Sequence, residues 1–281
     1  MSKSSKIWCV TALFLIFTGL LIFAGVMTML KWDFKKLSTV NYVTNTYDIS
    51  ESFDSILIDT RTSDVKVLKS KDESCSVVCH DQKSIKHSVT VENNTLTIKL
   101  TDSRKWYEHI QINSSTPKIT VYLPKSQYDK LDVKSSTGNI SVNNLSFSSL
   151  MLSVSTGDIM VSDVNCFDNI DILLSTGDAE ISNLICKKLY SKANTGDIKL
   201  NEVIAENSLT LKRSTGDVKL NKIDANEISI KTDTGDVSGT ILSKKVFITK
   251  TNTGNINVPK TTTGGKCEIT TTTGDIKIEI K

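Results

Sequence analysis

The chain is poor in what most enzymes and nucleic-acid binders are built from. Its 281 residues include three histidines, three prolines and 6% aromatic residues. His80, His87 and His109 are scattered, with no Ser or Cys motif beside them, so no catalytic constellation is nominated. No Cys-x-x-Cys or Cys/His spacing marks a zinc site. Lys and Arg number 34 against 31 Asp and Glu, and the two signs are interspersed. Without a basic run or a basic-aromatic stripe, nucleic-acid binding is not expected.

One long apolar run is present. Ile7 to Leu30 carries no charge and would span about 36 Å as a helix, enough to cross a hydrocarbon core of about 30 Å. A signal peptide would have an apolar region of about 7–15 residues before a small-x-small site. This run is longer, and Ala24-Gly25 lies inside it, so an uncleaved single-pass anchor is expected. Trp8 and Trp32 flank it as interfacial residues do. Lys3 and Lys6 before the span are nearly balanced by Lys31, Lys35 and Lys36 after it, but the polar β-rich body that follows fits an extracytoplasmic location. Residues 1–6 are then a short tail, 7–30 the span and 31–50 a juxtamembrane spacer.

What dominates the rest is a repeat. Ser/Asn/Asp-Thr-Gly-Asp/Asn recurs with glycines at Gly138, Gly157, Gly177, Gly196, Gly216, Gly235, Gly254 and Gly274, in steps of 19 or 20 residues. A fixed period of that length is the signature of a solenoid. Two residues after each glycine come Ile140, Ile159, Ala179, Ile198, Val218, Val237, Ile256 and Ile276. Four after come Val142, Val161, Ile181, Leu200, Leu220, Gly239, Val258 and Ile278, and seven after come Leu145, Val164, Leu184, Val203, Ile223 and Leu242. A second alternating run follows, as in Leu150-Leu152-Val154 and Ile170-Ile172-Leu174. Period-two alternation marks half-buried strands, so each coil is read as two short strands closed by the Thr-Gly-Asp/Asn turn. The predicted fold is all-β: a single-stack parallel β-solenoid with 19–20-residue coils over 135–281, preceded by one transmembrane helix. Residues 51–134 are β-rich without the period and are read as the irregular first part of the same stack.

Phe53-Asp54-Ser55-Ile56, Asp64-Val65-Lys66-Val67, Asn94-Thr95-Leu96-Thr97-Ile98 and Ile119-Thr120-Val121-Tyr122-Leu123-Pro124, followed by glycine-punctuated β-repeats, resemble the bacterial "putative adhesin" family, domain of unknown function 4097. The resemblance covers roughly residues 50–281. It implies a β-solenoid on a membrane anchor, mostly in Gram-positive bacteria and sometimes beside cell-envelope stress operons, and it brings no catalytic residues.

The strongest candidate site is the acidic column Asp158, Asp178, Asp197, Asp217 and Asp236, with Asn139 and Asn255 at its ends and Asp275 beyond. Stacked turns would set these carboxylates about 4.8 Å apart. Each neighbour pair then repels by about 0.9 kcal/mol in a water-like dielectric. Backbone N–H groups, lysines such as Lys199 and Lys219, or a calcium ion would offset this; the turn reading is favoured, and no cofactor is expected. Cys166 and Cys186 both lie nine residues after their glycine, so they should neighbour each other on adjacent coils, either as stacked thiols or as a disulfide. Cys75 and Cys79 share one strand face, and Cys267 takes the inward position of Leu209. Trp106-Tyr107 reads as cover for a strand edge or as a sugar platform. β-Helical polysaccharide-cleaving enzymes carry long insertions that build a groove; these coils carry almost none, so no enzyme is expected. The final strand, Ile276-Ile278-Ile280, lacks a visible cap and is expected to be the open end, available to another chain. The functional expectation is a non-enzymatic adhesin or surface scaffold of the bacterial envelope, meeting a wall polymer, a glycan or a membrane protein. The alternative is an accessory of envelope-stress sensing that acts through a membrane partner.

Overall fold

The computed structural model describes residues 3–33, 41–83, 85–102 and 116–281. Its one described helix, α1 (Lys3–Met29), carries no charge after Lys6, has none of its spanning window buried, and belongs to a different compact unit from the β-body. Such a helix has the length and composition of a membrane anchor or a signal sequence.

Among the described residues, eighteen strands form the body: β1 (Tyr42–Ile49), β2 (Ser55–Asp59), β3 (Asp64–Lys69), β4 (Cys75–Gln82), β5 (Ile85–Glu92), β6 (Thr95–Asp102), β7 (Lys118–Leu123), β8 (Gln127–Thr137), β9 (Ile140–Thr156), β10 (Ile159–Thr176), β11 (Ala179–Thr195), β12 (Ile198–Thr215), β13 (Val218–Thr234), β14 (Val237–Ile241), β15 (Lys245–Lys250), β16 (Ile256–Asn257), β17 (Gly265–Thr273) and β18 (Ile276–Ile280). From β8 to β13 each pairs in parallel with the next, glycine turn over glycine turn. Each long strand bends at a corner six residues after its glycine, where Asn144, Asp163, Asn183, Glu202 and Lys222 hold φ of 52–57°. Asn and Asp adopt this left-handed geometry most readily, and they fill the first three corners. A register shift just after Cys166 and Cys186 absorbs the difference between 19- and 20-residue coils.

The core is a set of side-chain files. Ile140, Ile159, Ala179, Ile198, Val218, Val237 and Ile276 are all buried, each directly above its counterpart on the next coil. Each fully buried Ile or Leu contributes roughly 1.5–3 kcal/mol relative to exposure. The turn demands glycine for two reasons. Gly177 has φ of +139°, and a Cβ there would lie 2.0 Å from the carbonyl oxygen of Gly157.

Stacking does not follow chain order at either end. β17 lies between β13 and β15, and β18 lies between β14 and β16, so the glycine turns run Gly216, Gly235, Gly274, Gly254. The final strand is therefore interior, and the expected open edge at Ile276–Ile280 belongs instead to β15 and β16. The reason is pattern quality. Residues 265–280 supply an uninterrupted inward set (Cys267, Ile269, Thr271, Ile276, Ile278), whereas the coil before it has a two-residue strand followed by Pro259. The better coil takes the position with two partners. Ile256 accordingly sits on the outermost coil and is 45% exposed. Leu242, expected inward, is exposed because a one-residue slip puts Ile241 opposite Ile223.

The N-terminal end mirrors this arrangement. β2 lies between β6 and β8, and β3 between β7 and β9, so the first coil in sequence is interior and the second is outside it. Beyond that coil the direction reverses: β5 pairs antiparallel with β6, β4 with β7, and β1 with β4. Residues 42–49 are thus a capping strand rather than spacer, since Tyr47 and Ile49 pack on the core at this end.

Candidate functional site

The aspartate column forms as the spacing requires, and its chemistry is internal. Oδ1 of Asp158 accepts the backbone N–H of Asp178 at 2.9 Å, and Asp178, Asp197 and Asp217 do the same for Asp197, Asp217 and Asp236 at 2.8–3.0 Å. Asp236 then serves Asp275, which serves Asn255. At the other end Asn139 serves Asp158, and Asp64 serves Asn139. Asp64 belongs to Thr62-Ser63-Asp64, a turn that the repeat search misses because Ser63 stands in place of glycine. Each carboxylate thus gains one charge-assisted bond that offsets the repulsion along the file. Its second oxygen keeps its lone pairs for water or a cation.

Behind this file lies Arg213, 4% exposed, in an inward row that elsewhere holds Val154, Leu174, Ala193 and Thr232. Its Nη2 donates to Ser191 Oγ at 3.0 Å and its Nη1 to the Lys212 carbonyl at 3.0 Å, while Nε has no partner. Burial pulls the guanidinium down to about 10, and the charges of Asp178 and Asp197 oppose that fall. Cys166 and Cys186 are adjacent in register as expected, and both are free thiols. Cys166 Sγ donates toward the carbonyls of Ser148 and Asn169 at 3.4 and 3.3 Å. Cys267 is a buried core residue opposite Ile228. Trp106, Tyr107 and His109 lie outside the described residues.

A second constellation escaped the sequence reading. Beneath the antiparallel cap, His87 Nδ1 lies 2.7 Å from Asp81 Oδ1, and the His87 backbone N–H donates to Asp81 Oδ2 at 2.8 Å. His87 Nε2 lies 2.9 Å from Thr60 Oγ1, which is 3.1 Å from Ser63 Oγ. The Cys79 thiol faces the same space, and burial with the charge of Asp81 pushes it up to about 12. Asp, His and two hydroxyls in series resemble an acid–base relay. All four side chains are buried, so no substrate reaches the hydroxyls, and the network instead ties β4 and β5 to the first turn. Nothing in the spacing of residues 60, 81 and 87 announces it; the hairpin between β4 and β5 creates it.

The outer faces carry shallow features only. One of them is an open groove of about 320 Å³ lined by Asn169, Asp171, Lys188, Tyr190, Ser208 and Thr210. Lys212 Nζ sits 5.7 Å from the Tyr190 ring centroid, and Asn169 Oδ1 is a buried acceptor without a partner.

A filled interior and stacked glycine turns define a parallel β-solenoid. The chain belongs to the Toastrack DUF4097 family, whose model matches residues 53–203 and 165–281. It is similar to the structure of a "putative adhesin" from Bacteroides fragilis NCTC 9343, with 19% identity and a TM-score of 0.53 over 85% of this chain and 97% of that one. It also matches a "putative adhesin" from Parabacteroides distasonis ATCC 8503, with 11% identity and a TM-score of 0.47 over 85% and 98%. No curated protein sequence matches the chain.

Proposed function

We propose that this chain is a non-enzymatic, membrane-anchored surface-binding protein whose β-solenoid takes a glycan or wall polymer outside the cytoplasm. The observation that carries the reading is the Tyr190 groove. An aromatic face suits the apolar side of a sugar ring, and Asn169, Ser208 and Thr210 offer neutral hydrogen-bonding groups around it. The apolar helix α1 supplies the anchor in this reading. The adhesin names of the structural neighbours fit the same class of role.

The test uses the full chain in lipid nanodiscs and an array of glycans with purified wall polymers. Retention of a saccharide, weakened roughly tenfold or more by Tyr190→Ala (about 1.4 kcal/mol or more), is the expected result. Absence of saccharide retention, or equal retention by Tyr190→Ala, would overturn it.

A further inference from the structure

We propose that Cys79, Asp81 and His87 form a binding site for one divalent transition metal ion of the zinc class. Their donor atoms (a sulfur, a carboxylate oxygen and a ring nitrogen) lie within 4.8 Å of one another, and all three residues are buried. The fold makes this juxtaposition. Cys79 and Asp81 are alternate residues on the inward face of β4, and β5 returns His87 beside them. Thiolate, imidazole and carboxylate together are donors that zinc accepts, whereas calcium and magnesium avoid sulfur.

The distances are within side-chain reach of coordination. A tetrahedral ion with bonds of about 2.3 Å to sulfur and about 2.0–2.2 Å to nitrogen and oxygen sets its ligands about 3.4–3.6 Å apart. The Asp81–His87 pair at 2.7 Å has to widen by less than about 1 Å, with the ion replacing the shared proton. The surroundings are already those of a ligand shell. Thr60 holds the far nitrogen of His87, and the His87 backbone N–H holds the second oxygen of Asp81. Such outer partners fix the orientation of the ring and the carboxylate before the ion arrives. Charge favours the same answer: a thiolate and a carboxylate neutralise a divalent ion, so the loaded cluster carries no net charge into the interior.

Asn45 supplies the independent sign. It pairs with Cys79 across the β1–β4 ladder, so its side chain shares the inward face, and its Nδ2 is buried without a partner. The ion would then join β4 and β5, and through Thr60 the first turn, at one end of the stack. It acts as a closed structural staple, since every donor is sealed from substrate.

The test is a titration of the metal-stripped full chain in detergent with Co²⁺, then Zn²⁺. The expected result is one equivalent of Co²⁺ bound, with a thiolate-to-cobalt charge-transfer band that Zn²⁺ abolishes and Ca²⁺ does not. Cys79→Ser loses the band and Cys75→Ala keeps it. Thr60→Val, which removes a positioning contact, weakens uptake about 10–100-fold, and Thr60→Ser restores it. Wild-type chain that takes up no Co²⁺, or takes it up without the sulfur band, overturns the proposal whether or not the variants fold. Retention of the band by folded Cys79→Ser overturns it equally.

Discussion

At the N-terminal end of the stack the outermost parallel coil, β6 and β7, is followed by β5, β4 and β1 running the other way. At the C-terminal end β15 and β16 are followed by no further strand among the described residues. The same exchange of coil order occurs at both ends, with the more regular coil inside and the interrupted one outside. They differ in what covers the interrupted coil. At the first end the inward positions of the cap hold Cys79, Asp81 and His87, and all are buried. At the second, Ile256 is exposed and Phe247 half-buried. A parallel stack has no intrinsic stop, so an end is closed either by reversing strand direction or by leaving a short edge strand with an exposed charge, as the two-residue β16 and Lys250 of β15 do here.

The largest test of this contrast is truncation after Gly264. In chain-order stacking, only a terminal coil would be lost. In the observed order, removing β17 and β18 also strips β15 and β16 of their only partners. The direct loss of Ile269, Ile276 and Ile278 alone is roughly 5–9 kcal/mol of burial, so a broad drop in thermal midpoint is expected, with proteolysis beginning near residue 240. A truncated chain that melts like the full one would contradict the order described. At the sealed end, Asp81→Ala leaves His87 buried without its partner and is expected to destabilise by about 3–5 kcal/mol in urea unfolding.

The thiols give a pH test. Burial pushes Cys186 and Cys267 up to about 12 from an ordinary value of 9.0. The unfolded chain releases these protons first as pH rises, so the folded state binds more protons between about 9 and 12. Stability is therefore full below pH 9 and falls above it. Urea unfolding at pH 8 and pH 10 should show the loss, and Cys186→Ala should reduce its steepness. The smallest effect is expected at the open end: Ile256→Ala should cost well under about 1 kcal/mol, against about 2–5 kcal/mol for Leu200→Ala in the middle of the stack.

Much of this was readable from residue order. A period of 19–20 with aliphatic residues at fixed offsets from glycine gave the coil, its core files, the aspartate column and the neighbouring Cys166 and Cys186. Periodicity assigns a residue to a file without saying which coil lies above it. Ile256 and Ile276 are equivalent by offset, and the choice between them rests on Pro259 and on how much strand each coil can form. The cap strand Tyr42–Ile49 was missed because its partner runs antiparallel and lies outside the repeat. The Thr60–Asp81–His87 network was missed because a hairpin, rather than a motif, assembles it. The Tyr190 groove was equally silent: one tyrosine on β11 becomes a feature only when Asn169 of β10 and Ser208 and Thr210 of β12 flank it.

The placement of β17 and β18 also sets a timetable. These residues come after β15 and β16 in the chain, yet their seat lies between those strands and β13 and β14. Until they are seated, Lys245–Asn257 has nothing regular to rest on except β13 and β14, the position it must later yield. Completion of this end is therefore an act of insertion rather than of addition.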